Sequence, residues 1–186
     1  ADEIHAFVEC GKPVIGICNG FQALVKAGIL PGNGAKGSES SDATATLTFN
    51  AKGHFECRWV TMRPVSQNCI WTKGLSENIE CPIAHAEGNF QTSDQSLLST
   101  LSSLNQIALT YSRSDGSPAN GGYPANPNGS LLDIAGICNP AGTVLGLMPH
   151  PENHIHPHQH PRWTRGQTMG SGLSLFRKGV KYAEAL

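Results

Sequence analysis

The sequence predicts an α/β fold, and three stretches carry the prediction. Residues 13–17 are a short β-branched run that meets Cys18, and Asn19-Gly20 lead straight into the amphipathic segment 21–27, so strand, sharp turn and helix follow in immediate succession. Residues 93–104 set Leu97, Leu98, Leu101 and Leu104 at helical spacing behind a Ser93 or Asp94 cap. Residues 143–148 form an apolar strand that delivers Pro149-His150-Pro151-Glu152.

The first stretch has the pattern Gly16-x-Cys18-x-Gly20, a nucleophile elbow with sulfur in place of oxygen. Small residues two before and two after let the backbone turn tightly enough to present a side chain. At the start of a helix the dipole favours a thiolate, the form that attacks carbon. The plain alternative is a buried cysteine acting as a small hydrophobe. A catalytic cysteine needs a base, and the base needs a group that holds its tautomer; the three meet in space, not in sequence. The order Cys18, His150, Glu152 fits that requirement.

The remaining elements follow in order. Residues 2–10 read as the end of a helix, with Ile4, Phe7 and Val8 on one face and Gly11 as its stop. Residues 28–32 end the elbow helix and begin a loop. Gly32-x-Gly34-x-x-Gly37 matches a dinucleotide fingerprint, but it follows a helix and opens none, so the phosphate-cradling reading is rejected. Residues 44–50 and 55–65 alternate and predict two antiparallel strands joined by a turn at Ala51-Lys52-Gly53. Trp71 reads as a packing anchor. Residues 79–84 are a strand ending at His85-Ala86-Glu87-Gly88, where His85 and Glu87 form a second acid/base pair or simply order a loop beside the site.

Residues 106–111 are a further strand. Residues 113–130, rich in Ser, Gly, Pro and Asn, are a surface loop in which Arg113 and Tyr123 are candidates for contact with a partner. Residues 132–138 and 143–148 make a hairpin around Asn139-Pro140-Ala141-Gly142. The tract from His154 to His160 has histidine at every second position, which raises a zinc reading. Its prolines favour an open, extended path, and four evenly spaced ligands on one strand cannot wrap a tetrahedron, so no metal is assigned. Residues 171–185 close the chain as a helix with Leu173, Leu175, Phe176 and Val180 inward.

A chain of 186 residues can bury one sizeable core, and a single domain spanning 1–186 is the simplest organisation. A net charge of −1 argues against nucleic acid as a partner, because phosphate binding wants a basic face. There is no charge run suited to a membrane surface, and no apolar stretch long enough to span one. The six cysteines lack the dense spacing of a disulfide scaffold and the first residues do not read as a secretory signal, so reduced thiols in a cytoplasmic protein are expected. Asn128-Gly129-Ser130 is then a chance sequon.

Three motifs together carry a resemblance. Gly16-Ile17-Cys18-Asn19-Gly20-Phe21-Gln22 resembles the nucleophile motif of the class I, or triad, glutamine amidotransferases, and residues 146–152 (GLMPHPE) resemble their His-x-Glu motif. With residues 84–90 (AHAEGNF), the wording is similar to the glutaminase family of the phosphoribosylformylglycinamidine synthases. The resemblance implies a doubly wound, mostly parallel sheet with added antiparallel strands. It also implies a γ-glutamyl thioester on Cys18, with His150 as acid/base and Glu152 as its orienter. The backbone N–H of Asn19 becomes one oxyanion donor, and Gln22 the motif glutamine that positions substrate. The family's second oxyanion donor comes from an early Gly-rich loop. Nothing of that kind stands upstream of Cys18, so the expectation is a domain lacking its N-terminal portion. L-glutamine is the implied substrate. The implied partner is an ATP-dependent synthetase, which uses ATP and Mg itself and leaves this chain without a cofactor. Other class I amidotransferases, a γ-glutamyl hydrolase, or a non-catalytic partner-binding domain of the same fold remain the alternatives.

Overall fold

In the computed structural model, residues 2–32, 45–167 and 170–186 are described. Gly34, Gly37 and Thr44, which entered the readings above, lie outside them. The element order is α1 (Asp2–Glu9), β1 (Val14–Ile17), α2 (Asn19–Lys26), β2 (Thr46–Thr48), β3 (Glu56–Pro64), β4 (Ile79–His85), β5 (Asn89–Gln91), α3 (Gln95–Ser103), β6 (Ile107–Ser112), β7 (Ile134–Cys138), β8 (Val144–Leu147) and α4 (Leu173–Ala183). Short 3₁₀ turns at Leu131–Asp133, Pro151–His154, Pro157–Gln159 and Trp163–Arg165 complete it.

Six strands form one sheet in the order β1-β8-β7-β6-β3-β4, and β2 pairs with β5 in a separate ribbon. The α/β class holds. Within the described strands only β1 and β8 run parallel, and the antiparallel additions make up the rest of the pairing. The sheet is strongly curled: the N–H of His150, just past β8, donates to the carbonyl of Pro82 on the edge strand β4 at 2.9 Å. Strands β7 and β8 are buried throughout, which is why IAGIC and VLGL read as unbroken apolar runs. One face packs Met62, Ile83, Leu109, Tyr111 and Leu145; the other packs Phe21, Leu30, Phe90, Leu101 and Val144.

Several expectations change in detail. The strands around Ala51-Lys52-Gly53 do not pair with each other: β2 joins β5, and β3 lies between β4 and β6. The cause is Asn50, whose buried side chain bonds inward to the carbonyls of His54 and His85 and breaks the hairpin. On α4, Val180 is 58% exposed and Gly179 faces inward instead, because a side chain there would strike the ring of Trp71, at 2.0 Å. Trp71 is the anchor expected, buried and donating its indole N–H to the Thr143 carbonyl. Of the apolar residues of α1 only Val8 packs on the core; Ile4 and Phe7 are more than two-fifths exposed and line an open apolar cleft with Val14, Gly16 and Leu24. Helix α3 is capped by Asp94, which accepts from the N–H of Ser96 at 2.8 Å, and buries Leu97 and Leu101.

Two glycines let α2 lie flat on the sheet. A Cβ on Gly16 would sit 2.5 Å from Leu24 and 2.7 Å from the Gly20 carbonyl, and one on Gly146 would sit 2.2 Å from the Phe21 ring. Gly146→Ala is therefore expected to lower stability by about 1–3 kcal/mol, the usual cost of overpacking a filled interior. A chemical-denaturation midpoint equal to that of the unsubstituted protein would contradict the packing.

Candidate active site

The parallel pairing of β1 with β8 puts two strand ends side by side. Val14 pairs with Val144 and Ile17 with Leu147, and the N–H of Cys18 donates to the Leu147 carbonyl at 2.8 Å. Past that bond each chain turns away, one into α2 at Cys18 and the other into the Pro151–His154 turn. Cys18 has φ 52° and ψ −107°, a strained conformation for a residue with a side chain and the kind that nucleophile elbows hold. Gly16 provides the required clearance. Gly20, expected to help, would meet nothing within 4 Å if given a Cβ. What matters at Gly20 is its carbonyl, against which Gly16 packs.

His150 lies next to both Cys18 and Glu152. Its Nδ1 is 2.6 Å from Glu152 Oε1, a short ionic hydrogen bond, and Cys18 is near enough to act on the charge of the ring. Hydrogen bonds to Cys18 and Glu152, with their charges, outweigh the cost of burial and raise the imidazole pKa from 6.5 to about 10. The ring therefore holds a proton at neutral pH. Burial, reinforced by the charge of Glu152, pushes the neighbouring Cys81 thiol well up and keeps it out of nucleophilic chemistry.

Asn19 begins α2, where the first backbone N–H groups have no acceptor within the helix. These donors follow Cys18 directly in the chain. Gln22 points to the opposite wall, its Nε2 donating to the carbonyl of Glu87 at 2.8 Å, so it braces the loop after β4.

That loop is held by two asparagines whose clamping role the sequence did not reveal. Asn50 donates to the His85 carbonyl and accepts from the N–H of Gly88; Asn128, fully buried, donates to the Gly88 carbonyl and to the Tyr111 hydroxyl. Buried Asn128 also closes the sequon to modification. His85 is 5% exposed, and burial first, then the charge of His150, lower its pKa to about 4. A buried asparagine distant in sequence leaves no periodic signal, so only the fold reveals these clamps. Tyr123, in the long loop, stacks on Arg58, its ring 4.7 Å from the guanidinium. Arg113 closes a tight turn, its N–H donating to the Ser117 carbonyl.

The histidine tract is not the open path that its prolines suggested. Two 3₁₀ turns fold it back, burying His154 and His160 against Trp59 and leaving His156 and His158 stacked outside. His154 Nδ1 donates to the Glu80 carbonyl at 2.6 Å and His160 Nε2 faces the Glu80 carboxylate at 3.2 Å. These contacts pin the turn that carries Glu152 to β4. Among the described residues no cluster of three or more His, Cys, Asp or Glu side chains could hold a metal ion.

Comparison with known proteins gives concordant matches. Residues 1–183 match the family model of the CobB/CobQ-like glutamine amidotransferase domain. The chain is 53% identical over 190 residues to phosphoribosylformylglycinamidine synthase subunit PurQ of Treponema denticola, covering 97% of this chain and 70% of that one. It is 43% identical over 186 residues to the Dehalococcoides mccartyi subunit of the same name, covering 98% and 68%. Among solved structures, that of PurLQS from Thermotoga maritima superposes with a TM-score of 0.68 at 28% identity, over 97% of this chain and 66% of that one. The chain thus spans about two thirds of the length of these relatives.

Replacing Glu152 by Gln removes one anionic partner of the imidazolium, so the pKa of His150 is expected to fall from about 10 towards the ordinary value of 6.5. The sign of the linked stability follows. A raised folded-state pKa stabilises fully below the unfolded value near 6.5 and ceases to as pH rises through about 10. An NMR titration of the His150 ring reads the shift; equal midpoints in the two proteins would remove Glu152 as its partner.

Proposed function

We propose, from a chain that belongs to the CobB/CobQ-like glutamine amidotransferase family and is a glutaminase of the PurQ kind, that Cys18, His150 and Glu152 hydrolyse L-glutamine and pass on ammonia for formylglycinamidine ribonucleotide synthesis in purine biosynthesis. The observation that carries the reading is the meeting of Cys18 with the hydrogen-bonded pair His150 and Glu152 at the ends of two parallel strands.

Glutamine's carboxamide is a poor electrophile, so the site needs a strong nucleophile and a home for the developing oxyanion. The Cys18 sulfur attacks the side-chain carbonyl carbon, forming a C–S bond and a tetrahedral oxyanion. The Asn19 N–H faces that oxygen; loss of one such donor typically costs about 3 kcal/mol of transition-state stabilisation. The intermediate collapses by breaking the C–N bond, and the proton on His150 goes to the departing nitrogen, which leaves as ammonia. Water then attacks the γ-glutamyl thioester while neutral His150 takes its proton. The C–S bond breaks, releasing glutamate and restoring the protonated imidazole beside the sulfur. Glu152 holds the ring's orientation and its charge through both halves.

Ammonia released into water would be protonated and lost to synthesis, so the reaction has a use only beside an acceptor. The partner is then an ATP-dependent synthetase, in keeping with the PurLQS assembly named for the Thermotoga maritima structure. ATP and Mg act in that partner and not in this chain. The whole of 1–186 works as one amidotransferase domain, in the cytoplasm; no described helix is long and apolar enough to cross a membrane.

Cys18→Ala in the assembled complex is expected to abolish glutamine-dependent amidation and to leave synthesis from added ammonia. Simultaneous loss of both would reassign Cys18 to a structural role. Diazo-oxo-norleucine, a glutamine analogue that alkylates such thiols, should add once, at Cys18, as read by peptide mass spectrometry.

A further inference from the structure

The carboxylate of Glu152 is held from one side only. Its Oε1 bonds the ring of His150 at 2.6 Å, and its Oε2, although buried, has no hydrogen-bond partner among the described residues. No side chain orients this group from behind, so its place against the imidazole is set by the backbone that carries it. That backbone is the Pro151–His154 turn, which is fastened to β4 at two points. Before Glu152, the N–H of His150 donates to the carbonyl of Pro82 at 2.9 Å; after it, the ring of His154 donates through Nδ1 to the carbonyl of Glu80 at 2.6 Å. Glu80 and Pro82 are two apart on one strand, so their carbonyls point to the same edge, and the two bonds bracket Glu152.

The residue type at position 154 points the same way. His154 is fully buried, with Trp59 edge-on at 5.1 Å and the ring of His160 at 5.3 Å. Its acceptor is a carbonyl, so Nδ1 carries the hydrogen, and its Nε2 is buried without a partner among the described residues. A leucine would fill this space with no nitrogen to satisfy. The ring's one hydrogen bond is the bond to Glu80. The carbonyl of His154 is held separately, by the N–H of Gly172 at 2.7 Å and the Ser171 hydroxyl at 3.0 Å, and these contacts do not involve its side chain. The ring's own contribution is therefore the attachment to β4.

We propose that His154 is a positioning residue for the glutamine reaction, its bond to β4 holding the turn so that the Glu152 carboxylate stays against His150; this rests on the glutaminase reading. With that bond gone, the turn stays fastened to β4 only ahead of Glu152, and the carboxylate leaves the imidazole for part of the time. The loss falls on turnover and not on glutamine affinity, because the buried ring of His154 meets no substrate.

Leucine and asparagine have nearly the same shape, and only asparagine places an N–H where Nδ1 stands. In the complete complex, His154→Leu should lower kcat for glutamate release by about tenfold or more with KM for glutamine within about twofold, since misplacing a positioned group by about 1 Å can cost on the order of a hundredfold. Synthesis from added ammonia should be unchanged, and His154→Asn should recover most of the loss. In an NMR titration the His150 midpoint should fall from about 10 towards 6.5 in the leucine variant and stay at about 10 in the asparagine variant. Added to Glu152→Gln, the leucine change should cost less than about twofold more, because it acts through a group already disabled. A second full loss in that background, equal losses in the leucine and asparagine variants, or an unmoved His150 midpoint in the leucine variant overturns the proposal. Should the leucine variant not fold, the asparagine variant decides: a His150 midpoint as low there as in Glu152→Gln overturns it. Failure of the unsubstituted protein to take the diazo-oxo-norleucine label at Cys18 is a different result, which overturns the glutaminase reading itself.

Discussion

A single backbone hydrogen bond, from the N–H of Cys18 to the carbonyl of Leu147, fixes the geometry of this molecule's site. It is the last rung of the parallel β1–β8 ladder, and past it both chains leave the sheet. A parallel pair ends with both C-termini at the same edge. Residues over 130 positions apart thus reach the same point without either strand being distorted to meet the other. An antiparallel pairing of these strands would have put the sulfur at one end and the imidazole at the other. The connection between them, nearly the whole described fold, includes the curled antiparallel strands β3, β4, β6 and β7. Their curl returns β4 to the site, where Pro82 accepts the His150 N–H and Glu80 receives His154 and His160.

Strain is concentrated at one residue, and small residues nearby accommodate it. Cys18 sits at φ 52°, a conformation costing of order 1–3 kcal/mol for a residue with a side chain. It is held there by the ladder bond on one side and on the other by α2, which Gly16 and Gly146 allow to approach closely. The helix in turn is anchored by Phe21, Leu24 and Val25 in the apolar layer beneath it. Packing energy spread over that layer keeps a single, half-buried sulfur in an unfavourable attitude.

The sequence made this much legible because the elbow is local. Strand, small residue, nucleophile and amphipathic helix are contiguous, and so are His150 and Glu152, which need only a two-residue spacing to meet. The buried runs at β7 and β8 were equally plain. The antiparallel majority of the described sheet was not, since strand direction depends on which strands meet, and alternation in residues 55–65 says nothing about the partner. Asn50 defeated the hairpin reading for the same reason: its three inward bonds go to a loop more than 30 residues away. The histidine tract misled because prolines that favour an extended path also start 3₁₀ turns, as Pro151 and Pro157 do here. Only burial against Trp59 separates the inward His154 and His160 from the outward His156 and His158.

Two imidazoles of identical chemistry are shifted in opposite directions by what surrounds them. His150 has a carboxylate and a sulfur as direct partners, so charge on the ring is favoured despite partial burial, and its pKa stands near 10. His85 has an uncharged amide as its hydrogen-bond partner, is more deeply buried, and feels the positive charge of His150, so its pKa stands near 4. Each of these conditions sharpens the other: a proton held on His150 makes a second one on His85 still less favourable. Cleavage of an amide to ammonia needs a proton for the leaving nitrogen at the moment the bond breaks, and of the two rings only His150 has surroundings that favour holding one.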